Sequence, residues 1–82
     1  ETVKIDRGFV AGMLEDPADQ AVISAIITLA RNLGIATVAE GIETEQQAAA
    51  LLDMGCRQGQ GYLWSRAQNP FALEHWLKRR QG

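Results

Sequence analysis

Cysteine occurs once in this sequence, at position 56, which excludes an internal disulfide and fits a reducing compartment. No second cysteine or histidine stands near it at metal spacing, so Cys56 reads as a small buried hydrophobe and not as a catalytic thiol. Long apolar runs are missing too. Nothing approaches the ~18 residues that a membrane span needs, and Glu1-Thr2-Val3-Lys4 lacks signal-peptide character. No membrane contact is therefore expected of this segment, and a cytoplasmic setting is expected. Charge of one sign is equally absent. The net charge of −2 exerts no bulk pull toward a nucleic acid polymer or anionic lipid. The one basic run, Lys78-Arg79-Arg80, falls at the end of the last predicted helix, where it complements the helix dipole. An initiator methionine is lacking as well, and the chain opens directly on a strand-like stretch, so a piece of a longer protein is expected.

What is present is an ordinary globular composition, 46% hydrophobic and 22% charged, laid out as alternating strands and helices. Thr2-Val3-Lys4-Ile5-Asp6 alternates apolar and polar residues, with Val3 and Ile5 on one face and Lys4 and Asp6 on the other. That charged face is either solvated or lines the mouth of a barrel. Arg7 to Leu14 reads as a loop or short irregular helix loosened by two glycines. Asp16-Pro17-Ala18-Asp19 then opens a helix: Asp16 caps, Pro17 suits the first helical position, and Asp19 sits at the positive end of the dipole. Its apolar stripe is Val22, Ile23, Ile26, Ile27, Leu29, Ala30 and Leu33, and it ends at Gly34.

Ile35-Ala36-Thr37-Val38-Ala39 shows no clean alternation, as expected of a parallel strand buried on both faces. Thr44-Glu45-Gln46-Gln47 fits a capping box, with Thr44 as N-cap and Gln47 at N3, opening a helix that stops at Gly55. A third strand is predicted around Arg57 to Leu63, and a last helix, capped by Asn69-Pro70, with the stripe Phe71, Leu73, Trp76 and Leu77. The order β-α-β-α-β-α calls for right-handed crossovers and a parallel sheet. Three strands cannot bury three amphipathic helices and both of their own edges. The pattern is therefore part of a wound sheet or a (β/α)8 barrel, and the open edges should drive self-association or domain swapping.

In such architectures chemistry sits where strands run into helices. Lys4 with Asp6, then Glu40, then Gln60 occupy that place on successive strands. A lysine and a carboxylate converging there can hold and activate a water, with Gln60 and Tyr62 orienting a substrate. Glu43 has a blander reading as a dipole-favoured residue just before the cap. Trp64 and Trp76 read as packing residues, and His75 as a surface histidine.

Three phrases carry more than periodicity: Val3-Lys4-Ile5-Asp6-Arg7-Gly8-Phe9-Val10, Val38-Ala39-Glu40-Gly41-Ile42-Glu43-Thr44, and Gly59-Gln60-Gly61-Tyr62-Leu63-Trp64-Ser65-Arg66. In order and spacing they resemble successive motifs of the EAL domain family, the bacterial cyclic di-GMP phosphodiesterases, over about the last third of that domain. The resemblance implies the C-terminal three βα units of a modified (β/α)8 barrel that linearises cyclic di-GMP to pGpG with Mg²⁺ or Mn²⁺. It implies that Lys4 positions or activates the hydrolytic water and that Glu40 acts at the metal-water site, as ligand or base. It also implies that Asp6 sits in or beside the metal shell, that Gln60 supports the site, and that Glu43 braces the loop carrying Glu40.

Where the family usually has serine, phenylalanine and proline, this chain has Gly8, Trp64 and Ala67. None of these removes a catalytic group. The Glu-Ala-Leu motif itself, the Asn and Glu metal ligands after it and the Asp-Asp-Phe-Gly loop lie upstream in the family and are not in this chain. The 82 residues alone are therefore expected to be inactive. The alternative is a catalytically inert EAL-type receptor of cyclic di-GMP, or a signalling scaffold.

Overall fold

A computed structural model of the chain describes residues 1–60 and 71–81. Its elements are β1 (Thr2–Ile5), α1 (Arg7–Gly12), α2 (Pro17–Asn32), β2 (Ala36–Glu40), α3 (Glu45–Met54), β3 (Gln58–Gln60), β4 (Phe71–Ala72) and α4 (Leu73–Gln81). The sheet order is β1-β2-β3-β4, with the first three strands parallel and β4 antiparallel to β3. The fold is α/β, but the sheet is small and mixed, which corrects the expected all-parallel pattern. Phe71 belongs to β4 and not to the last helix, which begins at Leu73. The cause lies across the sheet. Gly59 pairs with Phe71, and a Cβ there would lie 2.7 Å from Ile42 Cδ1, 2.9 Å from Leu73 Cδ2 and 3.2 Å from the Phe71 ring, so the absence of a side chain lets all three close over β3. The Leu73 N–H donates to the Arg57 carbonyl at 2.9 Å, completing the pairing. Positions Gly61 to Arg66, including Tyr62 and Trp64, and the predicted Asn69-Pro70 helix start lie outside the described residues.

Local chemistry sets the helix ends. The Asp16 carboxylate accepts from the Ala18 N–H at 2.9 Å with Pro17 at the first helical position, and Gly34 follows α2 at φ +72°. Thr44 and Gln47 form the reciprocal capping box of α3, which ends on Gly55 at φ +108°. The stretch after β1 condenses into the short helix α1, with Asp6 as its N-cap and Val10 as its buried anchor.

The core gathers Ile5, Val10, Ile23, Ile27, Ala39, Ile42, Leu51, Cys56 and Leu73 between sheet and helices. Each fully buried aliphatic side chain there contributes about 1.5–3 kcal/mol. Thr37, Val38 and Ala39 are buried in succession, as a strand covered on both faces requires. The stripe of α2 divides in two. Ile23, Ile27 and Ala30 are buried, whereas Val22, Leu29 and Leu33 are 38%, 61% and 63% exposed, so the expected burial of the whole stripe is not realised within this chain. The Cys56 thiol donates to the Gln58 carbonyl at 3.3 Å and is fully buried, and Trp76 packs against the core with its ring tilted toward Phe71. His75 is exposed, as a surface histidine should be.

Candidate functional site at the carboxyl ends of the strands

Side chains alternate along a strand, and registered residues of parallel neighbours share a face. The registers Lys4↔Val38 and Val38↔Gln58, with Glu40↔Gln60, place Lys4, Val38, Glu40, Gln58 and Gln60 on one face. Ile5, Ala39 and Gly59 occupy the other, and Ile5 and Ala39 pack there against α2. The polar residues read from the sequence therefore meet on the side of the sheet away from the helices.

Glu40 and Gln60 each end a strand, and they are direct neighbours. Lys4 reaches across from β1, its Nζ lying 3.8 Å from Glu40 Oε2. Neither group of this ion pair is deeply buried: the side chains are 58% and 34% exposed, so both remain open to water and to a ligand. Asp6 sits one step beyond β1, and its Oδ2 accepts the Gly8 N–H at 3.3 Å. That leaves the second carboxylate oxygen for another partner. The Glu43 side chain is exposed, and its contribution to the local structure comes from its backbone N–H, which donates to Gln47 Oε1 at 2.7 Å.

Two residues that the sequence reading did not place at this site, Gly41 and the capping-box Gln47, hold this end together. Gly41 follows Glu40 at φ +73°, its N–H donates to the Gln60 carbonyl at 2.9 Å, and a Cβ on it would lie 2.7 Å from Arg7 Cβ. Gln47, 6% exposed, bonds with its side chain to both flanking segments. A glycine directly after a strand-end carboxylate was the legible signal for the first. For the second, the capping box showed only half of the role.

Asp6 and Glu40 offer oxygen donors of the kind that Mg²⁺ and Mn²⁺ prefer. Among the described residues, however, no group of three or more His, Cys, Asp or Glu side chains comes together. The donor type fits a divalent metal, and the number of donors is that of a partial site. A separate cleft of about 420 Å³, lined by Ile27, Arg31, Thr37, Arg57 and neighbours, opens at the amino-terminal ends of β2 and β3. It is remote from the Lys4–Glu40 pair and contains no carboxylate, so it does not compete as the place of this chemistry. No described helix is long and apolar enough to cross a membrane.

Comparison with known proteins agrees with this arrangement. The family model for the EAL domain matches residues 1–67. The chain is 43% identical over 75 residues to the cyclic di-GMP phosphodiesterase RocR of Pseudomonas aeruginosa, covering 92% of this chain and 18% of RocR. It superposes on the EAL enzyme Bd1971, in its cAMP- and cyclic di-GMP-bound form, with a TM-score of 0.76 and 46% identity, over 96% of this chain and 20% of that one. The manganese and cyclic di-GMP complex of BlrP1 from Klebsiella pneumoniae gives a TM-score of 0.75 at 30% identity, over 87% of this chain and 20% of that one. The chain thus spans about a fifth of each of these three relatives. Three strand-end motifs in register, a matching family model and close superposition lead to one conclusion: the chain belongs to the EAL domain family.

Proposed function

We propose that these residues form the C-terminal three βα units of an EAL barrel that hydrolyses cyclic di-GMP to pGpG. The observation that carries the reading is the Lys4–Glu40 pair, 3.8 Å apart and beside Gln60 at the strand ends. In the reaction a water oxygen adds to phosphorus, one P–O ester bond breaks, the water loses a proton to a base, and the leaving oxygen gains one. The Lys4 ammonium draws the water toward its hydroxide form. Glu40 accepts the proton or serves as a metal ligand, and the Gln60 amide orients the water or the phosphodiester. Asp6 stands in or beside the metal shell, and Glu43 belongs to the loop that carries Glu40. Mg²⁺ or Mn²⁺, when held, supplies Lewis-acid activation and charge neutralisation. Asp6 and Glu40 are this chain's donors to it, and the remaining ligands come from other parts of the domain.

Three corollaries belong to the same proposal. The isolated chain yields no pGpG from cyclic di-GMP and Mn²⁺, because it carries a partial donor set. Exposed Val22, Leu29 and Leu33 and the outer edge of β1 drive copies of the isolated chain to associate, which sedimentation velocity would register as species above the monomer. The setting is cytoplasmic, in keeping with a free thiol at Cys56. The deciding experiment is Glu40→Ala in the complete domain: turnover is lost and cyclic di-GMP binding is kept. Undiminished turnover refutes the role given to Glu40, and binding without turnover in the unsubstituted domain points to the inert receptor.

A further inference from the structure

Gln47 is buried in the middle of a polar junction. Its Oε1 accepts two backbone N–H groups, from Glu43 at 2.7 Å and from Thr44 at 3.2 Å, while its own N–H donates to Thr44 Oγ1 at 3.0 Å. That much is a capping box, in which glutamate and glutamine are equivalent. The other half of the amide has a different task. Nε2 donates to the carbonyl of Val10, 37 positions away and in the last turn of α1, at 3.2 Å. That carbonyl also accepts the N–H of Met13, the C-cap of α1, at 3.4 Å, so the Gln47 amide adds a second, shorter bond to it. One planar amide thereby ties the carboxyl end of α1 to the amino end of α3.

We infer that Gln47 is a positioning residue for the Lys4–Glu40 pair, and that glutamate cannot replace it there. The inference rests on the function proposed above. The β2–α3 loop is tied at its start by the Gly41 N–H to Gln60 and at its end by the Glu43 and Thr44 N–H groups to Gln47. Asp6 is the N-cap of α1, and Lys4 lies two residues before it. The amide thus completes a closed circuit running from Glu40 through the loop, Gln47 and α1 back to Asp6 and Lys4. Without the donor half, the strand ends keep their sheet pairing and the packing of Gly41 on Arg7, but α1 and the start of α3 lose the hydrogen bond that fixes one against the other. A carboxylate at position 47 keeps both acceptor bonds, offers no donor, and sets an anionic oxygen against the negative end of the Val10 carbonyl dipole.

The test uses Gln47→Glu and Gln47→Met, the latter nearly isosteric and uncharged. In the complete domain, Q47E is expected to keep its fold and its protected Glu43 and Thr44 amides in hydrogen exchange. Its kcat should fall about 10- to 100-fold with KM within about twofold, the scale of a misplaced supporting group. Q47M should lower kcat likewise and also speed exchange of the Glu43 and Thr44 amides. A Q47E domain with the kcat of the unsubstituted protein overturns the inference, and so does a Q47M domain whose Glu43 and Thr44 amides exchange no faster. Should the unsubstituted domain prove inactive, the proposed function fails on its own, and the exchange of those two amides still decides whether Gln47 holds the loop. Should Q47E not fold, Q47M carries both readouts.

Discussion

Replacing Gly41 by alanine tests how the Lys4–Glu40 end of the sheet is held, because the same molecule contains its own control. Gly41 and Gly34 have nearly equal backbone angles, φ +73° and +72°. Forcing a side chain into this left-handed region costs about 1–2 kcal/mol at either position. Their surroundings differ. A Cβ on Gly34 would meet nothing within 4 Å, whereas one on Gly41 would lie 2.7 Å from Arg7 Cβ and 3.5 Å from Arg7 Cα. The obstacle at Gly41 is the root of a side chain and its backbone, not a flexible tip, so relief requires β1–α1 to move away from β2. Overpacking of that kind costs a further ~1–3 kcal/mol. Gly34→Ala should therefore cost about 1–2 kcal/mol and Gly41→Ala about 2–5 kcal/mol. Urea unfolding at unchanged m reads this as a midpoint lower by about 1 M or more for Gly41→Ala. Adding Arg7→Gly should recover part of the difference, and Arg7→Ala should not, since it keeps the offending Cβ. Equal losses at the two glycines would refute the packing of Gly41 on Arg7.

Other perturbations separate packing from chemistry. Lys4→Met should shift stability by less than ~1 kcal/mol, since an ion pair this open to water is worth little, while lowering turnover of the complete domain sharply; a large drop in melting temperature would make the pair structural instead. Thr44→Ala removes the acceptor for the Gln47 N–H and should cost about 1 kcal/mol in chemical denaturation. Ile27→Ala should cost about 2–5 kcal/mol, against under ~0.5 kcal/mol for Leu29→Ala on the same helix; similar losses would mean that the outer stripe is covered. Titrating the isolated chain with Mn²⁺ in a calorimeter should give no tight site, because no three-donor cluster forms among the described residues.

What the sequence made legible was governed by locality. Asp16-Pro17, the Thr44 and Gln47 box, Gly34 and Gly55 declare helix ends through bonds to residues a few positions away, and all stand where the spacing predicts. The meeting of Lys4, Glu40 and Gln60 was legible for a different reason. Alternation and strand order fix which end and which face a residue occupies before any contact is known. Where partners are remote in sequence, the reading fell short. Phe71 has an apolar side chain at helix-compatible spacing, and its pairing with Gly59, remote in sequence, makes it a strand residue. Arg7 to Leu14 reads as either a loop or a short helix; the structure has the short helix Arg7–Gly12, held by its Asp6 cap and by burial of Val10. The second bond of Gln47 depends on a carbonyl that no local pattern announces.

The alternation of faces on β1, β2 and β3 has a consequence for how such a domain can change. Ile5, Ala39 and Gly59 hold the helices on, while Lys4, Glu40 and Gln60, interleaved with them, take no part in that layer. Under the function proposed above, substitution at the second set would remove the chemistry in one or two steps while leaving the first set, and with it the folded scaffold, intact. Divergence from enzyme to sensor is then written in single letters along a strand, every other residue, with the scaffold as the unchanged background. This chain still carries Lys4, Glu40 and Gln60.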